Sequence, residues 1–381
     1  MKARDLHDDA SSIASSSSSS STTIEGSERP HSPTSLFEDS LFTLFSHNQP
    51  AHGDPGDTCK YTHPNLPSRY ATSPDRPTTI RYQISQNSGT NTKLFAHHQW
   101  DAGLYLADLI AEQSHGGVAQ GKQEERRFVD VRDKTVVELG AGTGLPGLVA
   151  CVMGADRTVI TDYPDTHVID NLERNLDLAL VPSRKGKERE LNPYYTEARK
   201  RVQVLGLGWG NADEEARVLR ASRSLSESEA IEGYDLVLAA DVLWVSSAHP
   251  LLIHSIRKLL KRDRDARCAL IAGFHTGRPA VRRFFLQLAQ PANSDDAKLE
   301  QGRKGAIIPD WEEDTFGGLW ERNIDGSRRP WSGAPMPCKS NHDANSYSDN
   351  AEDVGAEEEM GDISDRGSWV VVASLRWADL D

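Results

Sequence analysis

Short apolar runs alternate with longer amphipathic stretches between residues 135 and 274, and this alternation sets the predicted architecture. The apolar runs have the length of buried strands, and the stretches between them carry apolar residues at helical spacing. Strands and helices in this order are typical of a parallel sheet covered on both faces. The strands are predicted at 135–139, 157–161, 202–207, 234–240 and 266–274. The helices between them are predicted at 145–153, 165–178 and 248–261.

Further elements are predicted on both sides of this core. Apolar and polar residues alternate in 78–85, which predicts a strand with one buried face, and helical spacing predicts a helix over 94–113. After the core, another helix is predicted over 282–290 and a last strand over 368–377. Mixed helical spacing at 35–49 indicates a short element that docks on the core.

Low apolar content marks the segments that we expect to lie outside the core. The serine-rich residues 1–35 cannot repay the entropy of ordering, so they are predicted to be a disordered tail. Residues 36–93 then form an N-terminal extension, and 94–381 form the main domain. Three polar insertions in that domain are predicted to be solvated loops or disorder. They span about 182–200, 211–232 and 332–366.

Composition and charge limit the class of protein. The 381 residues include 43 basic and 57 acidic side chains, a net charge of −14, and nine of the acids lie within 341–366. This balance disfavours binding to nucleic acid or to an anionic membrane surface. No run approaches the ~18 apolar residues of a membrane helix, and the first residues lack the apolar core of a secretion signal. The four cysteines show neither a disulfide framework nor metal-ligand spacing, so we expect a reduced compartment, cytoplasmic or nuclear.

A glycine-rich loop follows the first buried strand of the core. Gly140–Gly144 reads Gly-Ala-Gly-Thr-Gly and joins this strand, which carries Glu138 near its end, to the next helix. Glycines at such a junction allow a sharp turn and a close approach of a ligand at the carboxyl edge of the sheet. The loop lacks the Gly-Lys-Ser/Thr of a phosphate-binding loop, and its GxGxG spacing differs from the GxGxxG of dinucleotide sites. A glycine turn that serves packing alone is the alternative.

The second core strand ends at Asp162, eighteen residues after Gly144. A carboxylate at this position can accept hydrogen bonds from both hydroxyl groups of an unphosphorylated ribose. Together with Glu138 at the neighbouring strand end, it suits S-adenosylmethionine, which has a cationic sulfonium, an amino-acid end and no phosphate. We therefore predict S-adenosylmethionine as the cofactor.

Two tryptophans follow the next two strand ends. Trp209 lies in the Leu-Gly-Trp-Gly segment after the third strand, where its flat ring could stack on an adenine. Asp241 and Trp244 lie in the Ala-Ala-Asp-Val-Leu-Trp segment after the fourth strand, facing the predicted methyl-transfer site. The alternatives are a plain core residue for Trp209 and a helix N-cap for Asp241.

The chain resembles the seven-stranded S-adenosylmethionine-dependent methyltransferases, in particular the branch that groups lysine methyltransferases with fungal proteins first named nicotinamide N-methyltransferases. The resemblance implies an α/β fold, a Rossmann-like seven-stranded sheet with helices on both faces. It is carried by AHHQWDAGLYLAD (96–108), VVELGAGTGLPGLVA (136–150), VITDYPD (159–165), GLGWG (206–210), AADVLWVSSAHPLL (239–252), GFHTGR (273–278), WERNIDGSRRPW (320–331) and WVVVASLRW (369–377).

The resemblance also implies roles for single residues. Cofactor contacts are implied for Trp100, Gly140, Ala141, Gly142, Asp162, Trp209 and Ala240, and the loop argument adds Glu138 and Gly144. Asp241 and Trp244 are implied to shape the entrance for an acceptor amine and are the predicted catalytic residues; no metal is predicted. Phe274 and His275 are candidates for the same slot, His275 either as a proton relay or as a structural histidine.

Within this branch, the GFHTGR and TDYPD segments resemble the fungal proteins that modify translation elongation factor 1-alpha at its N-terminal glycine and the adjacent lysine. The resemblance therefore implies a protein substrate, translation elongation factor 1-alpha, and we expect a monomer in the cytoplasm. Other members of the branch carry a tyrosine at the position of Trp244. Two alternatives remain: an N-methyltransferase for small nicotinamide-like amines, and an inactive cofactor-binding scaffold.

Overall fold

A computed structural model of the chain describes nine segments, all within the compact unit His47–Asp381. They are residues 52–69, 78–86, 96–115, 128–181, 192–222, 233–291, 305–310, 318–333 and 367–380. The strands in these segments are β1 (Thr58–Thr62), β2 (Thr79–Gln83), β3 (Thr135–Leu139), β4 (Arg157–Asp162), β5 (Val202–Gly206), β6 (Leu236–Ala240), β7 (Arg267–Gly273), β8 (Ile307–Pro309), β9 (Leu319–Asn323), β10 (Arg328–Pro330) and β11 (Trp369–Trp377). The α-helices are α1 (Asp101–Gln113), α2 (Leu145–Val152), α3 (Thr166–Leu180), α4 (Pro193–Arg201), α5 (Ala212–Ala221), α6 (His249–Leu259) and α7 (Arg278–Leu288).

A nine-stranded sheet forms the centre of the fold. Seven strands follow the order β5-β4-β3-β6-β7-β11-β9, with β10 beyond β9 and β8 paired to β11. The strands from β3 to β7 pair in parallel, whereas β11 runs antiparallel to β7. The predicted seven-stranded α/β fold is confirmed, and β8 and β10 are short additions. Strand order reverses between β3 and β6, which is the position where open α/β sheets bind ligands.

Helices cover both faces of this sheet. Neighbouring residues of a strand point to opposite faces, and accordingly Val136 and Val137 belong to two different buried clusters. The cluster that contains Val136 includes side chains of α1, α2, α3 and α4. The other cluster includes side chains of α5, α6 and α7. The predicted two-sided cover is therefore confirmed.

The predicted core strands agree with the structure to within two residues at either end. The helix predicted over 94–113 begins only at Asp101, because Trp100 has an extended backbone and serves as the N-cap. Trp100 is thereby placed on the segment that enters the helix, rather than on a helix face.

The prediction of loops or disorder at 182–200 and 211–232 is wrong where α4 and α5 lie. In α4, only Tyr195 and Ala198 are buried and most other side chains are polar, so the apolar stripe is too narrow to stand out in the sequence. In α5, the side chain of Asn211 caps the helix by accepting from the Glu214 N–H, and Val218 is buried. Both α4 and α5 are therefore capped helices that bury only one narrow edge.

The N-terminal extension contributes a two-stranded hairpin of β1 and β2. The strand predicted at 78–85 is confirmed as β2, and its Ile80 and Tyr82 are buried in the same cluster as α3. The predicted tail 1–35, the element predicted at 35–49 and most of the insertion 332–366 lie outside the described residues. None of the described helices combines the length and apolarity that crossing a membrane requires.

Candidate active site

A cavity of about 320 Å³ lies at the carboxyl edge of the parallel strands. Its walls come from the segment before α1 and from the loops that follow β3, β4, β5 and β6. Of the predicted site residues, the structure brings together along this cavity Trp100, Glu138, Gly140, Ala141, Gly142, Asp162, Trp209, Ala240, Asp241 and Trp244. Gly144 does not line the cavity and caps the start of α2 instead.

Three glycines of the loop after β3 have positive φ but serve different purposes. A Cβ on Gly140 (φ +62°) would lie 2.9 Å from Val242 Cγ1, and one on Gly144 (φ +74°) would lie 2.9 Å from Leu172 Cδ2. A Cβ on Gly142 (φ +56°) would meet no atom within 4 Å. Packing therefore explains two of the glycines, whereas Gly142 borders open space in the cavity wall.

Asp162 is buried at the end of β4 and holds the glycine loop in place. Its carboxylate accepts hydrogen bonds from the Gly142 N–H at 2.7 Å and from the Tyr163 N–H at 2.6 Å. Burial raises the pKa of Asp162 to about 6, since a buried carboxylate loses solvation that favours its charged form. Each oxygen keeps a further acceptor position, so the group can still bind a ligand hydroxyl.

Glu138 is the second buried carboxylate in the cavity wall. It accepts one hydrogen bond, from the Gly147 N–H at 2.9 Å in the first turn of α2. Burial raises the pKa of Glu138 to about 8. In the described part of the chain, neither Glu138 nor Asp162 forms an ion pair, so both can accept hydrogen bonds from a ligand, and a positively charged ligand would favour their ionised forms.

Trp209 is held against the loop by residues that the sequence analysis missed. The Gly208 N–H donates to Glu214 Oε2 at 2.6 Å, and the Gly210 N–H donates to Glu215 Oε1 at 3.2 Å. Both acids belong to the first turn of α5. The signal that could have found this helix is the Asn-x-x-Glu spacing of 211–214, which resembles a capping box.

Gln99 and Thr143 also line the cavity and were also missed. Thr143 Oγ1 donates to Gln99 Oε1 at 2.6 Å, and the Thr143 carbonyl accepts from Asn175 Nδ2 at 2.9 Å. Isolated polar residues of this kind carry no spacing signal, because their partners lie on elements distant in sequence.

Asp241 is held in an unusual conformation after β6. It has φ +57°, and its backbone N–H donates to the Ile271 carbonyl at 2.7 Å. Its Oδ1 accepts from the Gly273 N–H at 2.9 Å, and its Oδ2 lies 2.8 Å from His275 Nε2. The N-cap alternative is wrong, since the next α-helix begins only at His249. The carboxylate lines the cavity and keeps acceptor capacity on both oxygens.

His275 and Phe274 occupy different environments although they are adjacent. Burial lowers the pKa of His275, but the charge of Asp241 and the hydrogen bond to it outweigh burial, so the pKa lies above its ordinary value. The His275 ring centroid lies 5.2 Å from that of Trp100. Phe274 is fully buried and packs on Trp331, so its predicted place in the acceptor slot is wrong.

Comparison with known sequences places this geometry in context. The sequence model for the family described as "Lysine methyltransferase" matches residues 80–290, more than half of the chain. This match includes β3 to β7 and all the residues found around the cavity.

Curated relatives bear the name protein N-terminal and lysine N-methyltransferase EFM7. The protein from Gibberella zeae is 29% identical over 56% of this chain and 68% of its own length. That from Emericella nidulans is 31% identical over 45% of this chain and 56% of its own length. That from Candida albicans is 26% identical over 66% of this chain and 85% of its own length. Parts of these relatives therefore have no aligned counterpart here.

Proposed function

The chain belongs to the lysine methyltransferase family and is an S-adenosylmethionine-dependent methyltransferase; we propose that it methylates the N-terminal glycine and adjacent lysine of translation elongation factor 1-alpha. The observation that carries the proposal is the Asp241 carboxylate, buried, oriented by two hydrogen bonds and lining the cavity. The name of the relatives, protein N-terminal and lysine N-methyltransferase, supports an amine of a protein as acceptor. The resemblance of GFHTGR (273–278) and TDYPD to the fungal branch supports the elongation factor.

The cavity walls fit S-adenosylmethionine. Gly142 borders open space, Asp162 keeps acceptor positions suited to ribose hydroxyls, and Glu138 lines the same cavity. Trp209 presents an aromatic ring in the same wall that is suited to an adenine. When bound, S-adenosylmethionine supplies a methyl carbon that is activated by a positively charged sulfur.

On the acceptor side, Asp241 receives the amine. An α-amino or lysine group is largely protonated at neutral pH and must release a proton to solvent water before its nitrogen can attack. Asp241 attracts the ammonium form, accepts an N–H hydrogen bond and so directs the nitrogen toward the reacting carbon. Trp100 and Trp244 contribute apolar surface to the same cavity, which disfavours the charged amine and so opposes the rise in amine pKa that the Asp241 carboxylate causes.

The test is a transfer assay with radiolabelled S-adenosylmethionine. Three acceptors are compared: the N-terminal peptide of translation elongation factor 1-alpha, the same peptide with an acetylated N-terminus and arginine in place of the adjacent lysine, and nicotinamide. We expect label on the free peptide only. An Asp162→Ala enzyme should lose transfer through weak cofactor binding, whereas Asp241→Asn should lower kcat/KM for the peptide about 10- to 100-fold, the loss typical of one charge-assisted hydrogen bond.

The outcomes separate the alternatives. Label on nicotinamide alone would favour the small-molecule reaction. Binding of S-adenosylmethionine without transfer to the elongation factor or to nicotinamide would contradict this acceptor and leave another substrate or a scaffold role.

We also propose that the enzyme acts as a monomer in the cytoplasm. The four cysteines show no disulfide framework, which supports a reducing compartment. Light scattering of the purified protein and fractionation of cells test the two statements separately.

A further inference from the structure

A buried carboxylate on β9 binds cationic and hydroxyl groups from the start of α7 and from β10 and the residues after it. Glu321 is fully buried, and its two oxygens accept from Arg278 Nε at 3.1 Å and Arg278 Nη2 at 3.0 Å. Arg329 Nε on β10 donates at 2.8 Å, and Ser332 Oγ donates at 2.6 Å. Arg278 is buried as well, so neither partner can exchange this pairing for water.

This cluster fixes the loop between β7 and α7, residues 274–277. Arg278 is the first residue of α7, and its guanidinium lies 4.1 Å from the centroid of the Phe274 ring. The Phe274 ring also stacks with Trp331 at a centroid distance of 6.1 Å. The loop is therefore anchored at one end by Arg278, which contacts Glu321, and at the other by Phe274, which contacts Trp331 after β10.

The same loop holds the acceptor carboxylate. His275 lies between the two anchors and bonds to Asp241 Oδ2 at 2.8 Å. Asp241 has φ +57°, a conformation that is strained for a residue with a Cβ and persists only where the surroundings impose it. His275 and Gly273 provide that constraint through their hydrogen bonds to the carboxylate.

We propose that Glu321 is a positioning residue for the acceptor site, holding the β7–α7 loop so that His275 keeps the Asp241 carboxylate aimed into the cavity. The proposal rests on the proposed role of Asp241 in receiving the amine. Glu321 lies in the hairpin of β9 and β10, outside residues 80–290 that the family model matches. The proposal therefore adds a residue from beyond that match to the acceptor site.

The test compares Glu321→Gln with a matched variant, Asp310→Asn. Asp310 is also fully buried between two arginines, with Arg267 Nη2 at 2.7 Å and Arg376 Nε at 3.3 Å. Arg267 lies at the start of β7, at the opposite end of that strand from Gly273. Both variants remove one buried negative charge from a pair of arginines and should lower Tm, but only Glu321→Gln alters the loop that bears His275.

In steady-state assays, we expect Glu321→Gln to lower kcat/KM for the acceptor about 10- to 100-fold, the size of effect that a misplaced reactive group produces. The Kd for S-adenosylmethionine should stay within about twofold of the wild-type value, because no cavity residue on the cofactor side contacts Glu321 among the described residues. Asp310→Asn should keep both constants near wild type. Equal losses of acceptor kcat/KM in the two variants would overturn the proposal.

An NMR titration of His275 in the free protein gives a readout that needs no substrate. Since Asp241 raises the pKa of His275, loss of the positioned pair in Glu321→Gln should return that pKa toward its ordinary value, with no change in Asp310→Asn. If the His275 pKa shifts in Glu321→Gln but the wild type transfers no methyl group, the proposed function is contradicted and the positioning role stands. If the His275 pKa does not shift and the acceptor kinetics of Glu321→Gln are normal, the positioning role is contradicted. If Glu321→Gln fails to fold, Trp331→Leu removes the stack on Phe274 without unpairing a charge and should give the same changes.

Discussion

At the scale of single residues, the buried carboxyl groups of Glu138 and Asp162 make the stability of the ligand-free protein depend on pH. Burial raises the pKa of Glu138 from 4.5 to about 8 in the folded protein. A group with a raised folded pKa stabilises the fold below its unfolded pKa, and that contribution is lost as the pH rises through the folded pKa. We therefore expect the free energy of unfolding to fall between about pH 5 and pH 8. In Glu138→Gln, urea unfolding over this range should show a shallower decline; equal slopes would contradict the assignment.

Gly142 and Gly140 provide a pair of substitutions that separates binding from packing. Gly142→Ala places a methyl group in open space beside the cavity. Because of its positive φ, we expect the free energy of unfolding to fall by about 1–3 kcal/mol. We expect the free energy of S-adenosylmethionine binding to weaken by more than that. Gly140→Ala forces a Cβ to 2.9 Å from Val242 Cγ1 and should destabilise the fold more. Thermal unfolding and calorimetric titration with S-adenosylmethionine check both. A Gly142→Ala protein with unchanged affinity would show that ligand does not approach this glycine.

At the scale of elements, the parallel strands could be predicted because each is buried on both faces and so reads as a continuous apolar run. The helices α4 and α5 could not, because their buried edges amount to one or two side chains set among charged residues. The short strands β8 and β10 have three residues each, and pairing with neighbours distant in sequence defines them.

The sequence predicted those residues of the candidate site that lie at the ends of predicted strands. Glu138, Asp162 and Asp241 stand at or just after the ends of parallel strands, and strand ends at one edge of a sheet converge. The supporting residues come from elsewhere: Glu214 from an unpredicted helix and Glu321 from an antiparallel hairpin. Their roles depend on tertiary contacts that have no local pattern in the sequence.

Helix α5 yields a prediction with an internal control. Glu214 accepts from the Gly208 N–H at 2.6 Å, next to Trp209, whereas Asp213 in the same helical turn is exposed. Glu214→Ala should weaken S-adenosylmethionine binding several-fold, since loss of one such hydrogen bond is worth about 1 kcal/mol or more. Asp213→Ala should leave the affinity unchanged, and isothermal titration distinguishes the two. Equal affinities in both variants would mean that α5 does not support the Trp209 wall.

At the scale of the whole molecule, the N-terminal hairpin and the cofactor side of the sheet meet at a single strand end. The backbone of Gln83, the last residue of β2, bonds with the side chains of Asn171 and Asn175 on α3. Asn175 Nδ2 also donates to the Thr143 carbonyl in the glycine loop. Asn175 thus connects the N-terminal extension to the cavity, whereas the Asn171 side chain bonds to the hairpin through the Gln83 carbonyl.

This difference predicts two distinct outcomes for similar substitutions. Asn171→Ala and Asn175→Ala each remove hydrogen bonds to Gln83 and should lower the free energy of unfolding by about 1–3 kcal/mol. Only Asn175→Ala also frees the Thr143 carbonyl, so it alone should weaken S-adenosylmethionine binding, by a few-fold to about tenfold. Chemical denaturation and titration with the cofactor, at a temperature where both variants are folded, measure the two effects independently. Unchanged cofactor affinity in Asn175→Ala would show that the glycine loop keeps its conformation without the hairpin's support, and that the N-terminal extension stabilises the fold without taking part in the site.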